Sequence, residues 1–317
     1  MRTRVLVLIS IAHLFLVLHA EASEPIILRL TFPEGRTVTY KYKYKSRYSS
    51  DQAEHILPQR IARPGRVSVE VNGSWKNLEL VRILAEDPAE GEASEEIGIL
   101  ARVEEATSKV IFGGNIVSSQ EWDPYDMAEL SGRNFSWKIG PEGEVSDFMA
   151  EFPEYELYRQ DLISEFGQFL MPEYHPVLPK DPVNVGDTWS GTRSFESSFF
   201  LGGVRRYHKP LVKIKSLYKL KKLGKKKGRR TAEIEESREI EYTGWMFAAY
   251  VSVIMRGEGH GTAKWIIDVD RGLVLSQKTR FDLERPEVFL LGSESALGKV
   301  IADFRLDFER KLDKVEE

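Results

Sequence analysis

Few residues of this 317-residue chain have the types and spacing that catalysis or metal binding requires. Beyond residue 22 there are four histidines, His55, His175, His208 and His260, and none stands at a metal-ligand spacing from another. The chain has no cysteine, which excludes disulfides, thiolate metal sites and cysteine nucleophiles. No serine stands in a nucleophile elbow. The sequence therefore predicts neither a metal site nor a cofactor.

Paired carboxylates are the catalytic arrangement that the sequence leaves open, because such pairs meet only in space. For a carboxylate-based hydrolase, the candidates are Glu258 and His260, beside the run Gly257-x-Gly259-x-Gly261. This run is not a dinucleotide fingerprint, since no helix pattern follows it. Alternating glycines in a strand predict instead a bend or the close approach of another element. A binding protein is favoured over an enzyme.

Aromatic residues at strand spacing are the candidates for a ligand site. Val38, Tyr40, Tyr42 and Tyr44 alternate with Thr39 and three lysines, which predicts a strand with one aromatic and one cationic face. Tyr40, Tyr42, Trp189 and Trp265 are predicted to line an apolar cup for a lipid-like or other hydrophobic ligand. In the alternative interpretation these rings fill a closed core, and the sequence does not decide between a core and a cup.

The sequence therefore leaves two non-enzymatic functions open. The favoured one is an extracytoplasmic binding protein, and the alternative is a structural or protein-interaction module of the cell envelope that uses its sheet edges. The expected partner is accordingly a hydrophobic small molecule or an envelope protein. The net charge of −4 gives no nucleic-acid footprint. The oligomeric state does not follow from the sequence.

The first 22 residues have the composition of a cleaved signal peptide. Arg2 and Arg4 precede the apolar run Val5–Leu18, and Ala20-Glu21-Ala22 has the small-x-small form of a cleavage site. The run is shorter than the ~20 residues of a membrane span, and no later stretch is long and apolar enough for one. Because animal extracellular domains usually contain disulfides, the missing cysteines favour a secreted protein of the bacterial periplasm.

The rest of the chain predicts a mostly antiparallel β protein with minor α. Two similar curved-sheet halves, residues 23–151 and 185–317, are joined by one helix and a Pro-rich connector in residues 152–184. The second half opens with Gly186-x-Thr188 as the first opens with Gly35-x-Thr37. Trp137-x-Ile139 near the end of the first half likewise matches Trp265-x-Ile267 in the second. These matches predict an internal duplication.

Three local predictions concern turns and the C-terminus. Asn72-Gly73 predicts a two-residue hairpin turn. Gly224–Gly228 predicts the turn of a long hairpin in which Lys219 lies opposite Glu233. Residues 296–315 fit a helix or a strand, and the strand is favoured because the strand before them has a similar half-polar pattern.

The second half resembles a family of bacterial secreted proteins and lipoproteins that has no assigned function. The resemblance rests on Pro179-x-x-Pro182-Val183-x-Val185-Gly186-Asp187-Thr188-Trp189, and on Gly257-x-Gly259-x-Gly261 followed by Asp268 and Gly272-Leu273-Val274-Leu275. It implies an extracytoplasmic, β-rich fold and supplies no catalytic residues. Many relatives are lipoproteins, whereas this chain lacks the lipid-bearing cysteine.

Overall fold

A computed structural model describes residues 24–31, 37–50, 65–84, 95–112, 115–117, 131–140, 145–150, 175–196, 211–248, 251–291 and 296–316. These residues form strands and short connections and include no helix, which confirms the predicted mostly antiparallel β fold. The predicted signal peptide and the predicted helix lie outside the described residues. The part of the chain that is described contains no helix long and apolar enough to cross a membrane.

The described residues contain twelve strands. They are β1 (Thr37–Ser50), β2 (Gly65–Leu84), β3 (Glu95–Phe112), β4 (Asn115–Val117), β5 (Asn134–Ile139), β6 (Val145–Ala150), β7 (Thr188–Glu196), β8 (Leu211–Lys226), β9 (Arg229–Ala248), β10 (Val251–Asp268), β11 (Leu273–Leu291) and β12 (Ala296–Glu316).

All twelve strands belong to one sheet with the order β6-β5-β3-β2-β1-β12-β11-β10-β9-β8-β7, and β4 pairs with β3. Strands close in sequence pair with each other except at one place, where β1 pairs with β12. In that pair Val38 lies opposite Val315 and Tyr42 lies opposite Arg310. The two predicted halves are thus joined edge to edge through the first and last strands.

The matched motifs of the predicted duplication lie on strands of similar rank in the two halves. The threonines of the Gly-x-Thr motifs, Thr37 and Thr188, are the first residues of β1 and β7, and the Trp-x-Ile motifs lie on β5 and β10. If β4 is not counted, β5 is the fourth strand of the first half and β10 is the fourth strand of the second half. The duplication itself stays a prediction.

Side-chain alternation gives the sheet one buried and one exposed face, as the period of two predicts. In β1, Val38, Tyr40 and Tyr42 are buried, whereas Lys41 and Lys43 are exposed. The same alternation continues through β8, β9, β10 and β11. The hydrophobic core therefore lies against one face, and charged side chains cover the other.

Two of the turn predictions need correction. Asn72-Gly73 is not a turn, because β2 runs through it with Gly73 opposite both Tyr42 and Ala106. Pairing with strands on both sides overrides the local turn preference there. In the long hairpin, the turn is Lys227-Gly228 and a bulge lies between Leu220 and Lys222, so Lys219 lies opposite Glu235 and not Glu233.

Other local predictions are confirmed. The C-terminal segment is a strand, β12, and pairs with β11. The glycine run lies in β10 where another backbone approaches closely. A Cβ atom built on Gly259 would stand 2.4 Å from the carbonyl oxygen of Asp282, and one on Gly261 would stand 2.8 Å from that of Arg280. Only glycine fits such an approach.

Candidate functional site

The buried face of strands β1 and β7 to β12 is rich in aromatic rings, and we name this part of the sheet the aromatic face. Its members are Tyr40 and Tyr42 of β1, Phe308 of β12, Phe281 of β11, Trp265 of β10, Tyr242 of β9, Tyr218 of β8 and Trp189 of β7. All but Trp189 are buried, and Trp189 is half-buried. The aromatic face thus extends across seven neighbouring strands.

One row of cross-strand neighbours shows how polar groups enter this face. In order from β1 to β8 the row is Tyr42, Arg310, Gln277, Trp265, Ile234 and Leu220. None of these six residues is more than 5% exposed. The row therefore buries a guanidinium and an amide among apolar side chains, where a polar group needs a partner.

Arg310 lies over the ring of Tyr40, with the guanidinium carbon 4.7 Å from the ring centroid. Such a cation–π contact compensates part of the desolvation of a buried cation. Within the described residues, neither the Tyr42 hydroxyl nor Oε1 of Gln277 has a hydrogen-bond partner, and both atoms are buried. Burial raises the pKa of Tyr42, so its hydroxyl stays protonated and can donate.

A second buried polar group is the ion pair between Glu236 and Arg238 in β9. Nε of Arg238 donates to Oε1 of Glu236 at 2.8 Å, and the second guanidinium nitrogen donates to Oε2 at 2.9 Å. The Ser216 hydroxyl donates to the same carboxylate at 2.6 Å, and the Trp265 indole donates at 2.8 Å. Burial raises the pKa of Glu236, but the charges of Arg238 and Arg193 and the hydrogen bonds from Arg238 and Ser216 together outweigh burial and hold this pKa below its usual value.

Two extended segments, residues 24–31 and 175–183, lie against the aromatic face, and we name them the covering segments. Leu28, Leu30 and Leu178 contribute buried side chains to the core. The segments join each other through Ile26 and Val183, whose backbones exchange hydrogen bonds of 2.9 and 2.8 Å. Neither segment belongs to the sheet.

The second covering segment is attached to the edge of the aromatic face by side chains. The Trp189 indole donates to the Val177 carbonyl at 2.8 Å, the Val177 amide donates to the Tyr218 hydroxyl at 3.4 Å, and Arg193 donates to the His175 carbonyl. Trp189 and Tyr218 stack with 5.6 Å between ring centroids.

His175, which lies within the predicted Pro-rich connector, is buried at this attachment. Burial lowers the pKa of His175 well below its usual value, and the charges of Arg310 and Arg193 lower it further. The imidazole is therefore neutral at pH 7. A neutral ring is cheaper to bury than a charged one.

Glycines allow the covering segments to approach the sheet. A Cβ atom on Gly191 would stand 2.8 Å from Cβ of Val177. Gly272 has a positive φ of 61°, and its carbonyl accepts a hydrogen bond of 3.1 Å from the Thr31 amide. A side chain at either position would push a covering segment away.

The structure brings the four predicted ligand-binding aromatics to one face, while leaving three of them in its core. Tyr40, Tyr42 and Trp265 are at most 5% exposed, and Trp189 lies beneath the second covering segment. Their role in ligand binding stays a prediction. Sequence reasoning did not single out Glu236, Arg238 or Arg310, although each stands at an apolar position of a strand alternation.

The residues named for a hydrolase lie elsewhere. Glu258 and His260 are exposed on the opposite face of β10, and His260 lies between Glu239 and Asp282 of the neighbouring strands. Within the described ranges, no three His, Asp or Glu side chains converge as a metal site would need.

No protein-family model matches the sequence, and comparison with curated proteins gives no match. Among solved structures, lipovitellin is similar over 90% of this chain and 26% of its own, with 11% identity and a TM-score of 0.47. A Bacteroides fragilis protein described as exported, with a YmcC-like fold, matches over 92% of this chain and 100% of its own, with 9% identity and a TM-score of 0.25.

The β domain of the Bordetella autotransporter BrkA matches over 87% of this chain and 98% of its own, with 9% identity and a TM-score of 0.20. This chain thus spans about a quarter of the lipovitellin chain. All three TM-scores are below 0.5, so these likenesses carry no functional inference.

Proposed function

We propose that this protein is a non-enzymatic, extracytoplasmic binding protein that holds a hydrophobic ligand against its aromatic face. One observation carries the proposal. Among the described residues, the two covering segments lie over the aromatic face, which extends across seven strands. A few hydrogen bonds attach them to the sheet and to each other. A ligand that displaces a covering segment would replace its apolar contacts at little cost.

The polar groups of the aromatic face favour a ligand with a polar head. Tyr42 and Gln277 flank Arg310 in the cross-strand row, and each supplies a buried polar atom. Apolar sites with a few placed polar groups are typical of small-molecule binding. The ligand class is therefore an amphiphile whose head accepts hydrogen bonds from Tyr42 and Arg310.

Native mass spectrometry tests the proposal on protein that has been exported to a bacterial periplasm and purified without detergent. We expect a stoichiometric adduct that is lost on denaturation. In the same preparation, Tyr42→Phe should keep the fold and lower the adduct fraction, because it removes only the hydroxyl. A bare monomer mass in the unmodified protein would contradict the proposal.

A second experiment uses the neutral fluorescent probe N-phenyl-1-naphthylamine after removal of any co-purified ligand. Trp189→Ala is expected to change the affinity for the probe at least threefold, because Trp189 contacts both the face and the covering segment. Leu217→Ala is the matched control, since Leu217 is 53% exposed on the opposite face. Equal effects of the two variants would place the probe elsewhere.

A second candidate function is an interaction module that pairs through a sheet edge. Within the described residues, β7 is an end strand of the sheet and pairs with β8 alone. A strand with one open edge can accept a strand from another chain. A defined oligomer without an adduct in the native spectra would favour this function.

A further inference from the structure

The exposed face of the sheet contains a groove that the proposed function does not use. Its volume is about 850 Å³, and residues of seven strands, β1, β7, β8, β9, β10, β11 and β12, line it. At ~4.8 Å between neighbouring strands, the groove extends about 29 Å along the sheet. It is therefore an elongated site and not a compact cavity.

The groove is basic although the chain as a whole is acidic. Its six basic residues are Lys43, Lys45, Lys219, Lys264, Lys278 and Arg280. Three carboxylates face it, those of Glu235, Asp307 and Glu309, whereas the Glu236 carboxylate lies on the aromatic face with Arg238. Six cations against these three carboxylates and the Glu233 carboxylate that pairs with Lys264 leave a net charge of +2, against −4 for the chain.

Two cations meet at the centre of the groove. Lys264 of β10 lies directly opposite Lys278 of β11, and like charges in this position repel. Lys264 pairs with Glu233 at 2.6 Å and Lys278 pairs with Glu309 at 3.1 Å, so each ammonium is partly neutralised from its own side. An anion placed between the two lysines would relieve the remaining repulsion.

Hydroxyl groups lie among these charges, at Thr188, Ser237 and Thr262. Phe308 is the aromatic residue among the lining residues, and it is 2% exposed with its ring on the aromatic face. Nucleic-acid bases would have no ring to stack on there. Charge, hydroxyls and length together match a sugar acid chain.

We propose that the groove binds a linear acidic polysaccharide through these cations and hydroxyls. The groove and the aromatic face are on opposite sides of the sheet, so this site and the proposed hydrophobic site can be tested, and can fail, independently.

Calorimetric titration of the full mature chain with oligogalacturonate, at low and physiological salt, tests the proposal. Lys219→Gln/Lys264→Gln/Lys278→Gln should lower the affinity at least tenfold. The matched control, Lys225→Gln/Lys226→Gln/Lys227→Gln, removes the same charge from the exposed hairpin tip and should leave the affinity within twofold. Circular dichroism establishes that both variants are folded.

Three results would overturn the proposal. One is no binding of oligogalacturonate at low salt, and another is equal loss in the groove and hairpin-tip variants, which would indicate charge attraction without a site. The third is tighter binding of polyglutamate or single-stranded DNA than of oligogalacturonate, which would assign the groove to another macromolecule. Neutral dextran should not bind.

Discussion

At the scale of residues, the buried pair of Glu236 and Arg238 shows how one charged side chain depends on another. The carboxylate accepts hydrogen bonds from Arg238, Ser216 and Trp265, so its charge is fully compensated in a buried site. Breaking a buried pair leaves an uncompensated charge, which costs more than the pair contributes. Arg238 is the residue that would lose its carboxylate partner.

Glu236→Gln is therefore expected to lower the free energy of unfolding by about 3–5 kcal/mol. Glu235→Gln, one residue away on the exposed face, should change it by less than about 1 kcal/mol. Urea unfolding at pH 7 measures both. Equal effects would mean that the buried network does not stabilise the fold.

The same carboxylate predicts a pH dependence. The folded-state pKa of Glu236 lies below its unfolded value of about 4.3. The contribution of Glu236 to the free energy of unfolding is therefore fully present above the unfolded pKa, and it is lost as the pH falls through the folded pKa. The stability difference between the unmodified protein and Glu236→Gln should therefore shrink below about pH 4. Urea midpoints at pH 3 and pH 7 measure it, and a difference that stays constant would be inconsistent with this.

Gly261 illustrates a residue whose missing side chain matters. An alanine Cβ there would stand 2.8 Å from both the Arg280 carbonyl oxygen and Cβ of Phe281. We expect Gly261→Ala to cost about 1–3 kcal/mol of unfolding free energy, the range for overpacking. Gly224→Ala, whose nearest atom is the Thr231 hydroxyl at 3.7 Å, should cost less than about 0.5 kcal/mol. Thermal unfolding compares them.

At the scale of elements, the β8–β9 hairpin shows how a turn sets the register. Lys227 and Gly228 both have positive φ, 51° and 80°, as a two-residue turn of type I′ requires. With the bulge near Lys222, this turn moves the pairing by two residues from the predicted one. An even shift keeps every side chain on its face, so the predicted faces hold although the partners differ.

Lys227 is an unfavourable residue for a positive φ, which only glycine and asparagine adopt easily. Lys227→Asn is therefore expected to raise the free energy of unfolding by about 0.5–1 kcal/mol, and Lys227→Val to lower it by about 1–2 kcal/mol. Chemical denaturation gives both values. The turn assignment would be wrong if the valine variant were the more stable of the two.

At the scale of the whole molecule, the pairing of β1 with β12 makes one sheet of the two halves. Their register runs from Thr37 opposite Glu316 to Ser50 opposite Ala302. Pairing between strands so far apart in sequence forms late and needs the whole chain. The two halves should consequently unfold together.

Hydrogen exchange in increasing urea tests this cooperativity, with amides of β5 and β10 as probes of the two halves. We expect coincident transitions in the unmodified protein. Phe308→Ala, in β12, should lower both midpoints equally, because it weakens the shared sheet. Transitions that separate in the unmodified protein would show instead that each half is an independent unit.

Features of the fold could be predicted from the sequence where they depend on residues that are close together in the chain. The alternation of Tyr40 and Tyr42 with lysines predicted strand and faces, because both depend on neighbouring side chains. The Gly257-x-Gly259-x-Gly261 run predicted a close approach for the same local reason. The turn predicted at Asn72-Gly73 was wrong, because the strands that pair with this dipeptide on either side come from elsewhere in the chain.

The β class, the two faces of the strands and the aromatic content of one face follow from the sequence alone, because the period of two is local. Three further features are seen only in the folded chain: β1 pairs with β12, Glu236 contacts Trp265, and Lys264 lies opposite Lys278. These contacts join residues remote in sequence, whose meeting depends on register and strand order. No local pattern contains that information.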